Sequence, residues 1–150
     1  MKLPVLLAAA AAGSLGLSGC STTHLTQAQY VAKAEAICAN AEQQGQELPA
    51  PAGPADLPTF LTHSMAVTSD GLARLNRLTQ GYRDKAWIDK IFLTPLKGRL
   101  DAVRTAMPKV SADSAQGRSD TLDALKLPNA DLDAMGVYGF HECRKVMNSA

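Results

Sequence analysis

The sequence predicts an all-α protein: a small bundle of about four main helices, closed by one disulfide. Three observations carry this. The chain is 46% hydrophobic but only 5% aromatic, so its core is built from Leu, Ala, Val, Ile and Met, a mix that suits helices better than sheets. Apolar residues recur at three- and four-residue spacing over long stretches, while alternating β-branched runs are missing. The long periodic stretches are also bounded by capping and breaking residues in the order that helices require.

The first element is not part of that bundle. Lys2 gives a single positive charge, Leu3 to Ala12 is apolar apart from Pro4, and Gly13, Ser14, Gly16, Ser18 and Gly19 are small. A charged start, a short apolar run and a small-residue exit read as an export signal. The run is well short of the ~20 residues of a membrane span. Leu17-Ser18-Gly19-Cys20 then resembles a bacterial lipobox. That resemblance implies a lipoprotein, with diacylglycerol on the Cys20 thiol, the leader 1–19 cut away, and the freed amino group open to acylation. Two or more acyl chains, at ~0.8 kcal/mol per buried CH₂, anchor stably where one does not. The plain alternative is an ordinary secretory signal with a chance Cys.

The mature chain has about 130 residues, enough for one domain with a real core. Residues 20–25 are the lipidated Cys and a short tether. Ser21 to His24 spans at most ~17 Å when extended, so the domain, 26–150, rides close to the bilayer.

Leu25 to Glu47 is the clearest helix. Thr26 and Gln29 make a capping box, and Leu25 and Tyr30 are placed for a hydrophobic staple. Tyr30, Ala34, Ile37, Cys38 and Ala41 share a face, and Gly45 is the expected stop. From 48 to 58 the chain carries Pro49, Pro51, Gly53, Pro54 and Pro58, which predicts a stiff, extended connection. A second helix runs from about Leu57 to Leu78, with Asp56 near its cap and Pro58 in its first turn. Gly71 inside it costs about 1 kcal/mol relative to Ala, which close helix approach or a kink would explain.

Thr79 to Asp84 is a turn around Gly81. Asp84 caps a third helix from Lys85 to about Met107, whose buried face carries Ile88, Ile91, Phe92, Leu96, Leu100, Val103 and Met107. Pro95 predicts a kink there, or two helices, and Pro108 predicts the end. Ser119 caps a short helix through Leu122 and Leu125, Pro128-Asn129 interrupts, and Ala130 to Met135 adds a turn or two. A last helix, Phe140 to Met147, turns Phe140, Cys143 and Met147 to one side.

With Cys20 taken by lipid, Cys38 and Cys143 are an even pair in an oxidising compartment and read as a disulfide. It would close a loop of roughly 100 residues. The alternative is two buried free thiols. Zinc is a poor fit, since no C-x-x-C or Cys/His cluster is present.

Tyr30-Val31-Ala32 through Ala36-Ile37-Cys38, and Tyr138-Gly139-Phe140 through Cys143, resemble small helical exported lipoproteins of bacteria. The resemblance implies a compact bundle clasped by a disulfide. It implies no catalytic residues.

Chemistry is sparse elsewhere. His141-Glu142 starts an H-E-x-x-H pattern, but position 145 is Lys. His24, His63 and His141 lie far apart, with Met65 and Met147 as softer companions for a haem or a metal. No G-x-S-x-G elbow marks a serine. The expectation is therefore no enzyme, no catalytic or metal-binding residues and no resident cofactor.

The mature part is formally neutral, with 14 basic and 14 acidic side chains once Lys2 is removed, so nucleic acid is not an expected partner. Charge is uneven along it: nine basic residues stand against Asp84, Asp89 and Asp101 between Arg74 and Lys109. Shared on one face, they would suit anionic headgroups. The plainer reading is solvated helix faces paired with acidic neighbours.

Two functions follow. The leading one is a non-catalytic binding or interaction module, held to the membrane through Cys20, with a partner protein in the envelope. The alternative is a carrier of a small apolar ligand, a lipid or haem, in a cavity lined by residues such as Phe60, Met65, Ile91, Phe92 and Met107. A large apolar cavity in the fold would favour the carrier.

Overall fold

The computed structural model describes residues 25–111 and 129–148, together with Ser119 and Asp123. The leader, Cys20, the tether and most of the short helix expected after Ser119 lie outside the described residues; Ser119 and Asp123 themselves are helical and exposed.

The elements run α1 (Gln27–Gln46), a 3-10 turn (Pro54–Asp56), α2 (Leu57–Thr79), α3 (Lys85–Ile88), a π turn (Asp89–Leu93), α4 (Thr94–Ser111), α5 (Asn129–Tyr138) and α6 (His141–Asn148). No strand occurs among the described residues. α1 packs against α2 and α6, α2 against α4, and α5 against α6 and the π turn. The protein is an all-α bundle, and a Cys38–Cys143 disulfide closes it, with the two Cα atoms 4.9 Å apart.

α1 begins as its sequence predicts. The Thr26 hydroxyl accepts from the Gln29 N–H at 3.2 Å, and the Gln29 side chain accepts from the Thr26 N–H at 3.0 Å. Leu25 packs on the core cluster that contains Tyr30, as the expected staple requires. Gly45 does not stop the helix. Of the described glycines only Gly81 and Gly139 have positive φ; α1 leaves instead through Glu47 in a right-handed conformation, which needs no glycine.

The Pro-rich connection is bent rather than extended. Its prolines lead into the 3-10 turn, closed by the Asp56 N–H to Gly53 at 3.1 Å. Asp56 stands at the head of α2 without a side-chain capping bond. Gly71 is buried, and a Cβ there would lie 3.6 Å from the Ala41 Cβ. That is ordinary contact, so α1 and α2 approach closely at Gly71 but would also admit an alanine there, and α2 runs through it unbroken.

Around Pro95 the sequence left two outcomes open, and the helix resolves them with a wider turn. The Thr94 N–H bonds to the Asp89 carbonyl, five residues back. Pro95 has no N–H to offer Ile91 and its ring crowds that carbonyl; a π turn absorbs both problems. Pro108 does not end α4, which runs on to Ser111. Arg104 and Pro108 both face solvent, so water can take the carbonyl that Pro108 leaves unbonded, while buried Val110 (4% exposed) holds the last turn down. Asp84 precedes α3 without capping it. Its carboxylate accepts from the Tyr138 hydroxyl at 2.8 Å instead.

α5 is longer than the turn or two that the sequence predicts, passing through Gly136. It ends in a Schellman motif: the Phe140 N–H reaches Met135 at 2.9 Å and the Gly139 N–H reaches Gly136 at 3.1 Å, with Gly139 at φ 109°. α6 then starts against α1. The Glu35 carboxylate accepts from the Glu142 N–H at 2.7 Å and the Cys143 N–H at 3.1 Å, an anion on a positive helix end.

One end of the core is aromatic. Tyr30 stacks on Tyr82 with centroids 4.1 Å apart, and Phe140 meets Tyr30, Phe92 and Tyr138. Thr79, fully buried, donates to the Leu75 carbonyl at 2.7 Å. Its single proton is thus used, so Tyr30 donates in the 2.7 Å contact between the two hydroxyls.

Candidate functional site

A cavity of about 590 Å³ opens at the other end of the core, bounded by the C-terminal half of α1, most of α2, α4 and α6. Its volume lies within the ~300–1,000 Å³ of small-molecule sites. The sequence explains its walls. Ile37 and Ala41 continue the α1 stripe beyond the aromatic plug, Phe60, Leu61, Leu72 and Leu75 come from the α2 stripe, and Leu96, Leu100 and Val103 from α4. Three of the five residues expected to line a carrier cavity do so: Phe60, Met65 and Phe92. Ile91 is buried in the core without reaching it, and Met107 does not line it.

Cys38 and Cys143 both line this space, so the disulfide is part of its wall. Most polar groups at the rim are already engaged. Glu42 accepts from Gln46 at 3.1 Å and pairs with Lys145 at 3.3 Å. The Thr68 hydroxyl donates to Ser64 at 2.9 Å.

Arg99 is the exception. It lines the cavity and is only 9% exposed. Its Nη1 donates to the carbonyl of Met147, itself a wall residue, at 2.9 Å. Its Nη2 is enclosed and has no partner among the described residues, and burial pushes the guanidinium below its ordinary pKa. Among the described residues no carboxylate pairs with it.

In the sequence Arg99 belongs to the basic stretch 74–109, and the structure separates it. Arg74 pairs with Asp70, Lys85 with Asp89, and Lys97 and Arg104 both with Asp101, whose carboxyl these two hold below its ordinary range. Arg99 was nevertheless legible: it sits three residues after Leu96 and four before Val103, on the stripe rather than off it.

Of the other candidates, Cys20 and His24 lie outside the described residues. His63 and His141 are both exposed, and neither lines the cavity beside Met65 or Met147. Among the described residues no group of three His, Cys, Asp or Glu side chains is placed to hold a metal ion, and no helix is long and apolar enough to cross a membrane. No family model, curated protein or solved structure matches the chain, so the site is read from its own residues.

Proposed function

We propose that the protein is a lipoprotein of the bacterial cell envelope, anchored through Cys20, whose helical domain carries a small apolar molecule. The cavity supports the carrier part. A bundle of this size can ordinarily close its core with Leu, Ile and Val, yet here four helices and the disulfide frame an apolar space. A ligand that fills it gains roughly 25 cal/mol for each Å² of apolar surface withdrawn from water. With no described histidine in the wall, the ligand is lipid-like rather than haem held by an axial imidazole. The leader and the small-residue exit before Cys20 support the anchor.

The interaction-module reading has its own support in two exposed apolar side chains. Trp87 is 38% and Val137 90% exposed. Trp87 rests on Tyr138, the residue next to Val137, with ring centroids 4.6 Å apart. That is a small surface, and a partner protein would have to complete it.

Native mass spectrometry separates the two. The Cys20→Ser protein, exported by and purified from its own kind of cell, is expected to carry a bound small-molecule mass. The bare chain, two hydrogens light for the disulfide, would leave the interaction module in front. The same substitution tests the anchor: it should abolish fatty-acid labelling and release the protein from the membrane fraction, and retention of both overturns the lipoprotein reading.

A further inference from the structure

We infer that the ligand of this cavity is a long-chain monocarboxylic acid, and that Arg99 binds its carboxylate. The inference rests on the proposal that the cavity takes an apolar small molecule, and it adds a head to that molecule. Burying a guanidinium is costly unless it is both paired and hydrogen-bonded. Arg99 is nine-tenths buried and meets half of that requirement. Nη1 is bonded to the Met147 carbonyl, while Nη2 has no hydrogen-bond partner among the described residues and is closed to a molecule the size of water, so a ligand reaches it as the side chain, which lines the cavity, turns toward it. A carbonyl also brings no counter-charge.

The neighbouring groups do not make up the deficit. Glu42, the carboxylate in the cavity wall, is held by Lys145 and Gln46, and Asp101, two residues from Arg99, is held by Lys97 and Arg104. A ligand anion in the cavity would supply both the acceptor and the charge, in the short, charge-assisted hydrogen bond that Arg makes with carboxylates. The head should be singly charged, because Arg99 is the one cation among the described lining residues and Glu42 opposes it. That favours a carboxylate over a phosphate monoester. The rest of the wall, with Phe60, Leu61, Leu72 and Val103, suits an alkyl chain.

The test uses delipidated Cys20→Ser protein and a neutral apolar fluorophore, N-phenylnaphthylamine, to report cavity occupancy. Palmitic acid, methyl palmitate and hexadecyl phosphate are titrated as competitors. The acid should displace the fluorophore at concentrations about tenfold or more below the ester. Arg99→Gln, which removes the charge but keeps a polar amide, should still bind the fluorophore but lose the preference for acid over ester. Arg99→Lys should recover part of it. Equal displacement by acid and ester in the Cys20→Ser protein overturns the headgroup inference and leaves the apolar cavity standing. Preference for the phosphate overturns the singly charged head. Failure of every probe, the fluorophore included, overturns the carrier reading itself. The acid-versus-ester comparison needs no substitution at position 99, so it decides even if Arg99→Gln fails to fold.

Discussion

The Tyr138 hydroxyl donates to Asp84 at 2.8 Å, so Tyr82 is the donor in the 2.8 Å contact between the two phenols. This relay ties the turn before α3 to the end of α5. It also holds protons in place. Burial, then the bonds to Tyr82 and Asp84, push the Tyr138 pKa well up; burial does the same for Tyr30, against a smaller lowering from Thr79. Raised phenol pKa values mean that the fold favours the protonated form. The stability this brings is complete below about pH 10, the unfolded value, and is lost as pH climbs through the higher folded values. Denaturant midpoints should therefore fall steeply only above about pH 10, with phenolate absorbance rising in the same window. Tyr138→Phe should soften that fall. A midpoint already falling between neutrality and pH 9 would mean that other groups control it. Arg99 is the contrasting residue, since its burial disfavours the charge it carries unless an anion joins it.

Helices with local signals were legible. The Thr26–Gln29 box, Pro58 in the first turn of α2 and the break near Pro95 all act within one or two turns of themselves, so sequence spacing contains them. The failures share a cause. Whether Gly45 or Pro108 stops a helix depends on whether the freed backbone groups find another partner or water, and that is set by burial. Glu35 shows the non-local case. In the sequence it is a charge outside the apolar stripe of α1, yet it caps α6 across 107 residues, a pairing that no local pattern encodes. Its worth is testable. Glu35→Ala should destabilise the fold by about 1–2 kcal/mol, the usual cost of a lost cap with its dipole contribution, read from chemical denaturation. Glu47→Ala, at the exposed end of α1, should change stability by less than about 0.5 kcal/mol. Equal effects at both sites would mean that Glu35 is only a surface charge.

At the scale of the molecule, the bundle class and the Cys38–Cys143 bridge could be read from composition, stripes and an even cysteine pair. The cavity could not. Stripes report which faces turn inward and say little about how completely those faces meet, and sub-ångström packing decides whether Phe60 and Val103 touch or leave a space. The bridge bears directly on that space. It joins residues 105 apart in sequence, and the contacts of α6 with α1 otherwise include the Glu35 cap and the pair between exposed Lys145 and half-buried Glu42. Chain-entropy reasoning gives about 4.7 kcal/mol for a loop near this length, a large share of the ~5–15 kcal/mol that stabilises a typical domain. Reduction should therefore lower unfolding stability by about 4 kcal/mol, and the Cys38→Ala/Cys143→Ala pair should do the same without reductant. Because both cysteines line the cavity, reduction should also weaken fluorophore binding while the reduced protein is still folded. If binding and stability both survive reduction unchanged, packing of α6 on α1 holds the wall by itself, and the disulfide is dispensable to the site.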